Sequence, residues 1–451
     1  RLPALTHTAY RHYPLLDGPL VSGDALLGGQ WTSLLVAGFG AGLQGLFALD
    51  ITDPDRFVAA SLLWQFTDAD DVDMGHVIGR PLLAPIRVGT ELRWFVVATS
   101  GYNNLAPDGA ARSDGQGAIF FLDPAKPAGA PWQLNRNYWK IAVPLASTTA
   151  KAGLAQAAAV FDLTGAITEL YAGDLQGQLW KFDLRAGNPA DWGVFYRVSG
   201  APAPLFTAVN ANGARQPITA TPVIAFAPGG GYLLFFGTGK MIEVGDNAGP
   251  YNQTQSFYAV RDDGNAAVAR SDLARRTVRR AADGSWTTDI TGTDFVYGTA
   301  AGALRGWVLD LPDVDNGEQQ INSALLAFNS LFFNSAIPGD DPCLPGRSAR
   351  YCLDPITGLA SAACGAARGT SDDGFLSPPA TLLVQSIDSD PDTTGRSTRT
   401  SRYVLVEFAT GKGVALGGGE SVPVRSGLES QSAVRRIGWR ELINWRELRQ
   451  P

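Results

Sequence analysis

One short string recurs along this chain and limits what it can fold into: alternating apolar residues that end on an aspartate. It occurs as GLFALD (Gly45–Asp50), AIFFLD (Ala118–Asp123), QLWKFD (Gln178–Asp183), GWVLDL (Gly306–Leu311) and ARYCLD (Ala349–Asp354), with SFYAVRDD (Ser256–Asp263) as a looser copy. Period-two alternation is the signature of a strand, and a terminal carboxylate can accept from backbone amides two residues on, closing the turn that follows. A second string, an apolar run ending in a glycine turn, often comes first: SLLVAGFGAG before GLFALD, WFVVATSGYN before AIFFLD, ELYAGDLQGQ before QLWKFD and YLLFFGTGKM before SFYAV. Together they make a hairpin that repeats at irregular spacing, 73 residues from Asp50 to Asp123 and 60 from Asp123 to Asp183.

A repeated hairpin of this kind describes the blades of a β-propeller whose loops carry insertions. A plain β-sandwich has no reason to reuse one hairpin signature so often. The strings ending at Asp50, Asp123, Asp183 and Asp310 are therefore expected in equivalent strands of different blades, with Phe47, Phe120 and Trp180 placed alike.

Composition agrees. Apolar residues make up 45% of 451, with 52 Gly, 28 Pro and only 18% charged residues, against about 25% charged in an average soluble domain. That excludes bulk disorder and disfavours a helical bundle. The formal net charge of −7 argues against a general nucleic-acid surface, which needs a basic footprint. No run approaches the ~18 apolar residues of a membrane-spanning helix. The opening RLPALTHTAYRHY has no hydrophobic signal core, so any export signal is expected upstream or removed.

Several segments read as insertions or exposed loops: Leu105–Gln116, Arg270–Asp294 (a variable loop or a short helical excursion), Ala360–Gly374 and Ser386–Ser401. The repeated WREL at Trp439–Leu442 and Trp445–Leu448 reads as a closing strand, with a basic aromatic ligand patch as the alternative. Cys343, Cys352 and Cys364 are the only cysteines. Two of them could bridge, which suits an exported protein, or all three could be unrelated buried thiols.

Catalytic constellations are thin. His7, His12 and His76 are the only histidines, so a triad or a multi-His zinc site would need nearly all of them. YRHY (Tyr10–Tyr13) reads as a packed strand at a blade edge. FFGTGK resembles a phosphate loop, but Met241 follows Lys240 where that loop needs Ser or Thr; its glycines read as a hairpin turn. Asp68, Asp70, Asp71 and Asp73, near His76, read as a solvated inter-blade turn, with calcium as the sharper alternative. Asp388, Asp390 and Asp392 begin like a calcium loop, but Thr393 stands where glycine is needed and Arg396 and Arg399 would oppose a cation.

These strings resemble the PilC/PilY family of type IV pilus tip-associated adhesins and biogenesis factors. The resemblance is carried by LVAGFGAGLQGLFALDITDP, LWQFTDADDVDMGHVIGRPLL, ELYAGDLQGQLWKFDL, GGGYLLFFGTGKMIEVGD with QSFYAVRDDG, RGWVLDLP, FFNSAIPGDDPCLP (Phe332–Pro345) and the terminal WREL. It runs from about Tyr10 to the C-terminus. It implies an all-β, modified quinoprotein-like β-propeller with long inter-strand insertions. Residues 1–451 would then be a single incomplete propeller from the C-terminal region of a larger protein. The family carries a blade with a string like VYVGANDGMLHAFD, and a variable N-terminal part sometimes resembling a von Willebrand factor A domain, upstream of where this chain starts, so the first blade is expected to be missing.

For function, the resemblance implies a non-enzymatic pilus-associated adhesin and assembly factor that is exported and acts at the pilus tip, outer membrane or cell surface after transit of the periplasm. Expected partners are minor pilins and a host-cell or abiotic surface, with no nucleic acid. The competing classes are a quinoprotein-like dehydrogenase, which needs a funnel-bound quinone, calcium and a catalytic carboxylate, and a propeller lectin. The resemblance also implies a D-x-D-x-D-G-x-x-D calcium loop before YAGD. Aligned on Tyr171–Asp174, this chain offers Val160, Asp162, Thr164, Gly165 and Thr168. The expectation is thus no catalytic, cofactor or metal residues, and a metal-free, hydrogen-bonded turn between Ala159 and Leu170.

Overall fold

Glycine-closed hairpins and aspartate-closed turns alternate along the chain. The computed structural model describes residues 14, 16–104, 114–146, 151–243, 245, 246, 249, 251–283, 285–338, 346–388, 398–409 and 423–431. Among the described residues, regular structure is strand, apart from five single 3-10 turns. Blade 1 contains β1 (Leu20–Leu27), β2 (Gln30–Gly38), β3 (Gly45–Asp50) and β4 (Leu62–Thr67), each antiparallel to the one before. Blade 2 repeats this with β5 (Leu82–Val88), β6 (Glu91–Thr99), β7 (Gly117–Leu122) and β8 (Tyr138–Val143).

Blade 3 has β9 (Ala158–Phe161), β10 (Ile167–Gly173) and β11 (Gln178–Asp183), edged by β12 (Gly193–Val194) and, past the small hairpin β13 (Arg197–Val198) and β14 (Ala201–Pro202), by β15 (Phe206–Thr207). A single parallel pair, Ile86 with Ile167, joins blades 2 and 3 into one sheet. Blade 4 contains β16 (Val223–Phe226), β17 (Tyr232–Gly237) and β18 (Ser256–Asp262); a hairpin of β19 (Ala274–Arg280) and β20 (Trp286–Thr291) extends it beyond β21 (Gly306–Asp310). Blade 5 has β22 (Leu325–Ala327), β23 (Ser330–Ile337), β24 (Arg347–Leu353) and β25 (Arg368–Ser371). A three-stranded sheet follows, with β26 (Ala380–Asp388), β27 (Thr398–Phe408) and β28 (Pro423–Gln431).

The aspartate strings occupy the third strands of blades 1, 2, 3, 4 and 5. Asp50, Asp123, Asp183 and Asp354 each accept from the amide two residues on, at 2.9, 2.9, 3.1 and 3.0 Å. Asp310 departs from the expectation. GWVLDL is the fourth strand of blade 4, and it is the looser SFYAVRDD that fills the third position. Asp310 closes no such turn; it accepts from Arg270 at 2.6 Å and from Ser256 at 2.6 Å.

Phe47, Phe120 and Trp180 share a register, opposite Ala37, Ala98 and Ala172. Their burial differs for a physical reason. Phe120 packs back onto Leu46 and Phe66 of blade 1, and Trp180 belongs to the core shared with blade 2. Phe47 points away from that blade 1–blade 2 core, rests on Phe39 and is half-buried. Alternation thus serves two interfaces at once. Along β7, Phe120 faces blade 1 while Ile119 and Phe121 face blade 3. Further cores join blade 3 to blade 4 and blade 4 to blade 5, the face-to-face packing of a propeller.

Three segments read as loops hold strands, among them Ser386–Ser401, whose described ends pair Ser386 with Thr400 and Asp388 with Thr398. Arg270–Asp294 holds β19 and β20, because Ala274, Arg276 and Val278 alternate inward. Arg276 tolerates burial by donating to the carbonyls of Thr357, Arg275 and Thr293. Ala360–Gly374 contains β25. Cys352 and Cys364 form a disulfide with Cα atoms 6.3 Å apart. Cys343, Tyr10–Tyr13, His7, His12, most of Leu105–Gln116 and both WREL strings lie outside the described residues.

Candidate functional site

The acidic turn after blade 1 is where the structure most corrects the sequence. Asp68, Asp71 and Asp73 are buried rather than solvated, at 9%, 6% and 9% exposure. Lys140, from the outer strand of blade 2, places its Nζ 2.8 Å from Asp71 and 2.7 Å from Asp73. The Tyr138 hydroxyl donates to Asp71 at 2.9 Å. Burial alone would lower the Lys140 ammonium, but its hydrogen bonds to both carboxylates outweigh that and hold it above its ordinary range. Burial, and then the charge of Asp71, push the Tyr138 phenol well up. Asp70 stays at the surface and caps the turn through the Thr67 amide. His76 is a packed residue: its backbone pairs with Tyr102 and its Nδ1 lies 2.8 Å from the Gly40 carbonyl.

The loop aligned with a calcium site is the hairpin turn between β9 and β10. Asp162 Oδ1 accepts from the Thr164 amide at 2.7 Å, the Thr164 hydroxyl at 2.5 Å and the Ala166 amide at 3.1 Å. Gly165 adopts φ +81°, and Thr168 Oγ1 donates to the Val160 carbonyl at 3.3 Å. The bond from the Thr164 hydroxyl is the main reason the Asp162 carboxyl sits below its usual range. Arg87 of blade 2 reaches over, with Nη2 3.5 Å from Asp162 Oδ2 and 3.2 Å from Thr164 Oγ1. A divalent cation of the calcium type takes six to eight oxygens. One free carboxylate oxygen, already facing a guanidinium, does not fit that requirement.

The FFGTGK segment forms the turn leaving β17. Thr238 Oγ1 accepts from the Ser256 amide at 2.8 Å, and Lys240 pairs with Glu243 and, at 3.1 Å, with Asp246. Its charge is spent within the loop rather than offered to a phosphate. Beside it lies a polar cavity of about 260 Å³ lined by Lys240, Asp246, Tyr251, Gln253, Gln255 and Gln319. Tyr102 donates to Glu243, and burial and that carboxylate push its phenol up to about 12. Of the second Asp-rich motif, Asp388 ends β26 and Arg399 lies in β27 opposite Ile387; Asp390, Asp392, Thr393 and Arg396 lie outside the described residues.

Sequence reasoning missed the buried charge network between blades 3 and 4. Lys181 lies 2.9 Å from Asp262 and 3.2 Å from Glu169, all three almost fully enclosed. Tyr171 and Tyr196 both donate to Asp262. Burial opposes the Asp262 charge, yet these hydrogen bonds prevail and keep its carboxyl below its usual range. The available signal was a lysine inside QLWKFD, where the other copies carry apolar residues.

Sequential four-stranded antiparallel units packed face to face define a β-propeller, and no group of three or more His, Cys, Asp or Glu among the described residues is arranged to hold a metal. The family model described as the PilY1 beta-propeller domain matches residues 2–288, so the chain belongs to that family. A type IV pilus biogenesis factor PilY1 homolog of Xylella fastidiosa is 31% identical over 409 residues, covering 85% of this chain and 26% of the relative. The type IV pilus biogenesis factor PilY1 of Pseudomonas aeruginosa is 30% identical over 393 residues, covering 79% of this chain and 32% of that protein. The chain thus spans between a quarter and a third of these relatives' length. The crystal structure of the Pseudomonas aeruginosa PilY1 C-terminal domain superposes with a TM-score of 0.60 at 24% identity, over 86% of this chain and 82% of that one.

Proposed function

We propose that this chain is the propeller of a non-enzymatic type IV pilus biogenesis factor, exported and acting at the pilus tip or cell surface. There it promotes pilus assembly or opposes retraction and makes contact with a host-cell or abiotic surface, with minor pilins as its partners. The observation that carries this reading is the family match over residues 2–288. Surface chemistry supports it. Leu26 and Trp31 flank the first hairpin turn of blade 1, Leu92 that of blade 2, Phe161 and Leu163 that of blade 3, and Phe226 that of blade 4. All are exposed, Phe226 by 85% and Trp31 by 64%. Because the blades run in the same strand order, these turns lie at the same end of their blades, and their exposed apolar side chains suit contact with protein or solid surfaces.

The test is deletion of the gene in its own host, with complementation by wild type or by Trp31→Ser/Phe226→Ser. Deletion should reduce surface pili and attachment, and wild type should restore both. The double variant should restore pili but leave attachment reduced. Unchanged piliation and attachment on deletion would refute the proposal. Turnover of alcohols by the purified chain with added quinone and calcium would favour the dehydrogenase reading instead.

A further inference from the structure

We infer that two side chains of blade 2, Arg87 and Lys140, stand in for bound cations at the carboxylate sites of the two flanking blades, so that the calcium-type loop is closed by an arginine. Lys140 bridges Asp71 and Asp73 of the turn leaving blade 1, offsetting one of their two charges. Arg87 faces Asp162 and Thr164 of the first turn of blade 3. Each site therefore joins neighbouring blades through a cation that is covalently part of the chain.

The register explains how Arg87 is delivered. Ile86 pairs with Ile167, the first residue of β10, so Arg87, next to it near the end of β5, lies within side-chain reach of the turn that precedes β10. On the other strand of its hairpin Arg87 lies opposite Leu92. Guanidinium offers a planar fork of donors and keeps its charge at any physiological pH. It meets two acceptors here, a carboxylate oxygen and a hydroxyl, without needing the six to eight oxygens of a calcium ion. The remaining Asp162 oxygen already receives three hydrogen bonds, from Thr164 twice and from Ala166. Val160 contributes only its carbonyl, which accepts from Thr168. The protein groups that meet the partly exposed Asp162 are thus donors or a cation. A loop filled in this way does not answer to changes in calcium, and the junction between blades 2 and 3 keeps one state whether or not calcium is present.

The test is calorimetric titration of the full chain with calcium chloride, beside two variants whose thermal melts confirm folding. One carries Thr164→Asp/Thr168→Asp with Arg87 retained; the other adds Arg87→Ser. Wild type should give no saturable heat up to about 1 mM, the weak end of extracellular calcium modules. The variant lacking the arginine should bind, at least about tenfold more tightly than the variant that keeps it, because the guanidinium competes for the same oxygens. Saturable binding by wild type that disappears in Asp162→Asn would overturn the inference. So would equal affinity of the two variants, or no binding by either.

Discussion

Lys181 and Asp262 meet at 2.9 Å across the junction of blades 3 and 4, with side chains only 4% and 0% exposed. The carboxylate also receives the hydroxyls of Tyr171 and Tyr196, and the ammonium lies 4.2 Å from the centre of the Phe195 ring. A pair this enclosed is not screened by salt as surface pairs are. Removing one partner strands the other in a low-dielectric interior, which typically costs about 3–5 kcal/mol. Lys181→Met should therefore lower stability to urea by that amount, with nearly the same loss at low and at high salt. A loss that shrinks severalfold in high salt would mean the site is wetter than the structure shows.

Register and burial together separate Phe120 from Phe47. Both lie opposite an alanine in the third strand of a blade, but Phe120 is fully enclosed and Phe47 is half-buried. Truncating an enclosed phenylalanine costs about 3–5 kcal/mol, through lost transfer energy and the cavity left behind. Phe120→Ala should fall in that range and Phe47→Ala well below it. Parallel denaturation curves of the two variants read the difference directly; equal losses would show that Phe47 is covered as completely as Phe120.

The disulfide gives a third prediction. Cys352 and Cys364 close a short loop between β24 and β25, and a link of this length typically contributes about 3 kcal/mol by restricting the unfolded chain. Cys352→Ser/Cys364→Ser should lower the melting temperature and abolish its sensitivity to reducing agent. Peptide mapping without reduction should recover both cysteines in one linked fragment.

What could be read from the sequence was what is local. An aspartate that accepts from the amide two residues on carries its partner with it, so the third strands of blades 1, 2, 3 and 5 were legible from Asp50, Asp123, Asp183 and Asp354. Asp310 ends the same alternation, but its partners are Arg270 and Ser256, and nothing within GWVLDL distinguishes a third strand from a fourth. The turn around Asp162 was legible because Gly165 and two threonines are built into it. Arg87 was not, since only the parallel pairing of Ile86 with Ile167 brings it there. The run from Asp68 to Asp73 read as solvated because charge density usually marks a surface. Lys140 reverses that reading, and it comes from another blade.

Asp174 supplies the last prediction, a pH dependence. Its side chain is fully buried in the turn between β10 and β11. Desolvation is the dominant effect and pushes its carboxyl up to about 6 from an ordinary 3.8, although Trp180 Nε1, the Gln178 side chain and the amides of Gln178 and Gln176 all donate to it. The folded state therefore binds a proton near pH 6 that the unfolded chain takes up only near pH 4. Where the native state holds more protons than the unfolded state, stability falls as pH rises. The contribution of Asp174 is thus fully present below about pH 4 and is lost as pH rises through 6. Asn at this position does not titrate, and its NH₂ would confront the donors of Gln178 and Trp180, leaving buried groups unpaired at a cost of about 1–3 kcal/mol. Asp174→Asn should be less stable than wild type at pH 7, and the gap should widen as pH is lowered from 7 to 4, other carboxylates affecting both proteins equally. Denaturation midpoints at half-unit pH steps measure that gap. A gap that stays constant across the range, or a side-chain carboxyl resonance of Asp174 titrating near its ordinary 3.8, would show that its hydrogen bonds fully offset its burial.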